Sequence, residues 1–275
     1  RRRHLPCYLP RRVQARRDDR TQQTSLTAHR RLTSADELEA DGEAARLGGA
    51  EAIQREVHAD FADAAERMKE AGVDGIELQA YGQLLAQFWT PAINDLDPPY
   101  GGSLDNRLRF TFEVLDAVRN RVGPDFIVGM RVVPDEQMPG GVTKEDGAEI
   151  ARRLKGSGKV DFLNIVRGHI DTDAGLADLI PIQGMPSAPH LDFAGEVRAA
   201  SQMPTFHAAR IQDVAPARHA VASGLLDMVG MTRAHIADPH IVRKLMAGQE
   251  DRIRPCVGAN YCLDRIYQGG MALCI

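Results

Sequence analysis

Residues 126–166 read FIVGMRVVPDEQMPGGVTKEDGAEIARRLKGSGKVDFLNIV. Phe126–Val133 is a nearly continuous apolar strand interrupted by one charge, Arg131. A guanidinium inside such a run needs a partner. Thr143 with Asp146 three residues on resembles a capping box and opens a helix to about Leu154, after which Val160–Val166 is a second apolar strand. Strand, helix and strand in this order are the signature of a βα unit in a parallel sheet.

The same alternation extends in both directions. Upstream, Phe61, Ala64, Ala65, Met68 and Ala71 recur at helical spacing and Gly72 closes the run. Asp74–Leu78 (DGIEL) then makes a strand, and Ser103 starts a helix through about Arg121. Downstream, the reading predicts a helix over His190–Ala200, a strand over Pro204–Ala208 and a helix over Ile211–Ser223 ending at Gly224. Leu226–Gly230 is the fifth strand, and Asp238 before Pro239 caps a helix that ends near Gly248. Residues 56–250 thus hold five units of 39 residues each. Eight such units would need about 310 residues, somewhat above the ~250 typical of a (β/α)₈ barrel. The first 55 residues have no room for three more, so the expectation is an incomplete barrel whose last five units are present.

Composition narrows the function classes. With 275 residues, 43% hydrophobic and 26% charged, the chain is that of a globular protein with a sizeable core. It has no uncharged apolar run of about 18 residues and no apolar stretch behind its N-terminal arginines, so neither a membrane span nor a secretory signal is expected, and the reading is cytoplasmic. Residues 1–33 carry ten Arg, no Lys and two acids, a balance of +8; the overall −4 leaves −12 on the rest. So acidic a body excludes a nucleic-acid binder as the main reading. The basic segment, residues 1–54, stays open between a nucleic-acid arm, a targeting presequence and a stretch read in the wrong frame. Cys7, Cys256, Cys262 and Cys274 are too lopsided for a disulfide scaffold, three of them lying in the last twenty residues.

Residues 74–110, DGIELQAYGQLLAQFWTPAINDLDPPYGGSLDNRLRF, carry a family resemblance. They are similar to the old yellow enzyme superfamily, with its DGVE strand, QF-x-x-P turn and YGGS-[LIV]-[ED]-NR-x-RF segment. The cysteines after the barrel region resemble the trimethylamine dehydrogenase and dienoyl-CoA reductase branch, and within it the demethylases of N-methylated amino acids such as N-methylproline or dimethylglycine. The resemblance covers about residues 55–275. It implies an α/β fold, a TIM barrel of the FMN-linked oxidoreductase type. Residues 55–250 are then the FMN-binding partial barrel and residues 251–275 the start of a cysteine-cluster segment.

In the YGGS segment, Gly101 and Gly102 permit unusual dihedrals and Ser103 caps the next helix, so Asn106, Arg107 and Arg109 are expected to hold the loop against the barrel rather than touch substrate. The resemblance places Arg131 against the flavin, whose reduced ring is anionic near its pyrimidine edge; a structural ion pair is the alternative. Ala209 and Arg210 after the fourth strand and Thr232 and Arg233 after the fifth are the expected phosphate-side contacts, where barrels of this class bind phosphate. Relatives have glycine where Ala209 stands, and two surface arginines are the bland alternative.

Substrate chemistry is expected at Gln79–Gln83, with Gln79 and Gln83 as contacts and Tyr81 as a catalytic group. Many relatives carry H-x-x-[HN]-x-Y there; this chain is one residue shorter and has neither histidine. That argues against NADH-dependent enone or dienoyl reduction and leaves amine oxidation by hydride transfer. His169, with Asp171 or Asp173, is the second catalytic candidate, and each residue could equally be a satisfied loop residue. By resemblance, Cys256, Cys262 and Cys274 would ligate an iron–sulfur cluster, yet Ala259 occupies the second ligand position; an altered cluster, empty thiols and zinc all stay open. No G-x-G-x-x-G follows a strand, so a small-molecule substrate and an external electron acceptor are the expected partners, with no nucleic acid or membrane, and a homo-oligomer left open. The competing expectation is a truncated or frame-damaged relative without activity.

Overall fold

In the computed structural model, residues 50–82, 84–170 and 172–275 are described, with side chains from Val57 on. The readings of the basic segment before residue 50, of Cys7, of Gln83 and of Asp171 lie outside the described residues. Residues 58–275 form one compact unit.

Its frame is a parallel sheet with strands in chain order: β1 Gly75–Ala80, β2 Ile127–Val132, β3 Phe162–Ile165, β4 Thr205–His207 and β5 Met228–Val229. All five strands read from the sequence are present. Sequential parallel order is what right-handed βα units produce when the sheet curls toward a barrel. In-register neighbours on parallel strands point to the same face. One face carries Leu78, Met130 and Leu163, then Ala80, Val132, Ile165 and His207, all buried. This is the layer under the helices. The other carries Gln79, Arg131, Asn164, Phe206 and Met228, which are half-buried or exposed. In a closed barrel that face points inward.

The helices are α1 Ala50–Glu70, α2 Leu84–Trp89, α3 Leu104–Val122, α4 Lys144–Ser157, α5 Asp173–Leu179, α6 Leu191–Ser201, α7 Val214–Ala222, α8 Thr232–Ala237, α9 Ile241–Met246 and α10 Tyr261–Tyr267. Capping chemistry sets several starts: Ser103 Oγ accepts from Asn106 N–H at 3.3 Å, Thr143 Oγ1 from Asp146 N–H at 3.2 Å, and Asp213 Oδ1 from Ala215 N–H at 2.9 Å. Only half of the expected capping box forms at Thr143, because the Asp146 carboxylate turns instead to Arg107, at 3.0 Å.

Two expectations are corrected. The face that α1 buries from His58 on is Ala62 and Ala65, whereas Met68 is exposed. The helix is rotated by what it docks on: the His58 ring packs 4.8 Å from Phe110 of α3, and Lys69 donates to the Val122 carbonyl at 2.7 Å. Asp238 does not cap a helix starting at Pro239; it ends α8, and α9 starts after His240. Its carboxylate accepts from His240 N–H (3.0 Å), Lys244 Nζ (2.5 Å) and Arg254 N–H (2.9 Å). These bonds hold its pKa down at about 2 and tie the C-terminal segment to the barrel end.

The YGGS loop behaves as read. A Cβ on Gly101 would collide with the Leu96 carbonyl, so only glycine fits that approach. Asn106 donates to the Gly101 carbonyl at 2.9 Å, Arg109 to that of Pro99 at 3.1 Å, and Arg107 to the carbonyls of Gly102 and Trp89. These side chains clamp the loop.

Candidate active site

The carboxyl ends of the strands carry the site. At the end of β2 the Arg131 guanidinium lies 5.4 Å from the centre of the Tyr81 ring. Arg131 Nε is buried without a hydrogen-bond partner, and among the described residues no carboxylate lies within ion-pair distance of it. Among the described residues, then, no ion pair holds it. After β4 the chain turns through two left-handed residues, Ala209 at φ 91° and Arg210 at φ 57°. That turn aims Arg210 under the C-terminal segment, where Gly258 leaves no room for a Cβ against the guanidinium. Arg210 Nε and Nη1 are buried and unpartnered.

Arg233, one residue into α8, is committed on one side: Nη1 donates to the Pro181 carbonyl at 2.9 Å and to Asn260 Oδ1. Burial lowers its pKa, the nearby Cys256 and Cys262 thiols oppose that shift, and the Arg210 charge adds to it. Two half-buried guanidiniums are thus close enough to repel each other. A fourth arginine, Arg167 after β3, is paired with Asp135 at 2.9 Å and stacks 4.6 Å over Phe193. The four line one cavity of ≈ 330 Å³ together with Tyr81, Ala209, Thr232 and Cys262. Among the described residues, no Asp or Glu lines it. A concave site of this size with several converging polar groups is of the small-molecule or cofactor kind.

His207 also lines the cavity and was not singled out from the sequence. It is 1% exposed, and its Nδ1 lies 2.9 Å from the Ile165 carbonyl. A carbonyl can only accept, so Nδ1 carries the proton and Nε2, unpartnered, is an acceptor. Burial lowers its pKa to about 4; the bond to Ile165 opposes that shift and the charges of His190 and Arg131 add to it, so the ring is neutral. Arg167 and His207 escaped notice for one reason: one reads as a loop charge and the other as a core residue until the register brings β3 and β4 together.

The catalytic candidates divide. Tyr81 lines the large cavity, and it also lines a second hollow of ≈ 100 Å³ that holds His169. Gln79 lines neither; it is exposed and donates to the Tyr81 carbonyl at 3.3 Å. Asp173 is exposed in the first turn of α5, which Thr172 caps. The cysteines do not assemble as the cluster reading expected. Cys262 lines the cavity, while Cys274 is exposed with its Sγ 3.6 Å from the Ile275 oxygen. Among the described residues no three His, Cys, Asp or Glu side chains are gathered to hold a metal. With Ala259 supplying no ligand, the residues present do not fit a four-thiolate cluster.

The turn at Ala209 makes a prediction. A β-carbon at φ 91° is strained, and glycine is not. Ala209→Gly is expected to stabilise the protein by about 0.5–1 kcal/mol, net of glycine's greater unfolded entropy. A urea midpoint lower than that of the parent would show that the turn is not strained.

Comparison with known proteins places the chain. The family described as NADH:flavin oxidoreductase / NADH oxidase matches residues 8–252. A probable N-methylproline demethylase of Rhizobium meliloti is 68% identical over 216 residues, which are 78% of this chain and 32% of that protein. The N,N-dimethylglycine/sarcosine dehydrogenase of Chromohalobacter salexigens is 49% identical over 217 residues, 78% of this chain and 31% of its own. Among solved structures, a 2-naphthoyl-CoA reductase in complex with 2-naphthoyl-CoA superposes with a TM-score of 0.76 at 28% identity, covering 82% of this chain and 34% of that one. The chain spans about a third of the length of these relatives, and its five-stranded sheet is the corresponding part of a TIM barrel. It belongs to the NADH:flavin oxidoreductase / NADH oxidase family, the old yellow enzyme superfamily, on the branch of the amine dehydrogenases and demethylases.

Proposed function

We propose that the arginine-lined cavity holds FMN and that the chain is the flavin-binding part of an enzyme oxidising a small N-methylated amine or amino acid. The observation that carries this is electrostatic. Arg210 and Arg233 converge, Arg131 Nε is buried without a hydrogen-bond partner, and among the described residues no carboxylate lines the cavity to neutralise them. Half-buried cations set this close together favour an anion among them. FMN brings a phosphate dianion at one end and, when reduced, an anionic ring at the other.

The roles follow from position. Arg210 and Arg233 would hold the phosphate, with Thr232 and the Ala209 backbone beside it, on the β4 and β5 side of the cavity. Arg131, two strands away, would sit at the ring. When bound, the flavin supplies the hydride acceptor for an N-methyl carbon. Tyr81, between the two hollows, would orient the amine, and His169 would take its proton before the hydride leaves. The likeness to N-methylproline and dimethylglycine enzymes supports this substrate class over an enone. No step is routed through the cysteines, and an external acceptor would take the electrons.

The test is spectroscopic. FMN-loaded protein under argon should lose its yellow absorbance on adding N-methylproline or dimethylglycine and regain it with an artificial acceptor. Bleaching by NADH followed by recolouring with an enone, with no response to either amine, would mean that the site is a reductase.

A further inference from the structure

The second hollow has the opposite electrostatic character. It sits at the carboxyl ends of β1, β2 and β3 and shares Tyr81 with the large cavity. Among the described residues, its one charged lining residue, His169 aside, is Glu136, and no Lys or Arg lines it. Glu136 Oε2 accepts from Val142 N–H at 2.7 Å, which fixes the carboxylate on the wall. Thr90 is 1% exposed, and its Oγ1 is buried with no hydrogen-bond partner. A buried hydroxyl left unsatisfied is costly unless something fills the place. Ile93, Val133, Met138 and Ile170 supply apolar wall.

We propose that this hollow is the docking site for the methylated ammonium head of the substrate, with the Glu136 carboxylate as counter-charge and the Thr90 hydroxyl as second hydrogen-bond partner. The chemistry selects the class. A carboxylate without a competing cation takes a cation, and the apolar wall takes N-methyl groups that water would not fill well. A hollow of ≈ 100 Å³ admits a group as small as a dimethylammonium ion. The arrangement separates charge, with the anionic cofactor among four arginines and the cationic amine beside Glu136, and Tyr81 borders both sites. It rests on the amine-oxidation reading of the site, but the binding of a cation beside Glu136 can be measured without flavin.

The experiment is calorimetric titration of dimethylammonium chloride into the protein, and separately of FMN, for the parent, Glu136→Gln and Met138→Lys. Glutamine keeps an acceptor oxygen for Val142 and removes the charge. Lysine at 138 adds a fixed cation to the wall and leaves the Glu136 hydrogen bonds untouched. Both are expected to weaken dimethylammonium by about tenfold or more while FMN affinity changes less than about twofold. Thr90→Val should weaken the same cation by about threefold, as the loss of one hydrogen bond. Dimethylammonium that binds the parent and both charge variants equally, or that does not bind the parent, overturns the proposal. If the cation follows Glu136 while FMN binds none of the proteins, the docking site stands and the flavin reading falls.

Discussion

Arg210→Met is expected to weaken FMN binding by roughly 30- to 300-fold, the effect of removing one partner of a buried, hydrogen-bonded charge pair. The same change should raise the stability of the flavin-free protein by about 1 kcal/mol. The signs are opposite because the guanidinium has unpartnered buried atoms and a second cation, Arg233, close by when no anion is present. Methionine removes that repulsion and fills a similar volume. Riboflavin, which lacks the phosphate, should bind both proteins alike. A flavin-free Arg210→Met protein that unfolds at lower urea than the parent would show that the arginine is satisfied within the fold and is not waiting for a ligand.

The second large effect is in acid. Because His207 is buried and neutral with a pKa of about 4, the folded protein refuses a proton that the unfolded chain accepts near 6.5. The unfolded state therefore binds more protons between those values, and stability must fall as pH falls from 6.5 to 4. Two and a half units correspond to about 3 kcal/mol at 1.36 kcal/mol each. His207→Leu should abolish this part of the slope, at a loss of about 1 kcal/mol at pH 8 from the bond to Ile165. His58, whose pKa burial also lowers, contributes a slope of the same sign in both proteins and cancels in the comparison. Urea midpoints at pH 8, 6.5 and 4.5 read the difference. Parallel pH profiles for the two proteins would mean that His207 is solvated or charged in the fold.

The sheet was legible because its strands are short apolar runs separated by helices with their own caps. β2 and β3 came from FIVGMRVV and VDFLNIV, and Ser103 and Thr143 start α3 and α4 where the sequence places them. The short helices α2, α5, α8 and α10 were missed. Each has six or seven residues, too few to show a helical period, and their ends are set by loops packed on the barrel rather than by propensity. The orientation of α1 was misread because Phe61 and Met68 advertise one face while docking on Phe110 selects the small residues of another. At the site, Arg131, Arg210 and Arg233 could be read from their places at the strand ends. Arg167, His207, Glu136 and Thr90 could not. Their meaning lies in which neighbours lack charge or partners, and that appears only when loops from different strands meet.

The central claim is that the cavity is built for a phosphorylated flavin, and equilibrium titration of FMN against riboflavin tests it most directly. With Arg210 and Arg233 at the phosphate end, FMN should bind about a hundredfold more tightly than riboflavin, and the difference should shrink with rising salt. Equal affinities for the two, or binding of neither, would contradict the account.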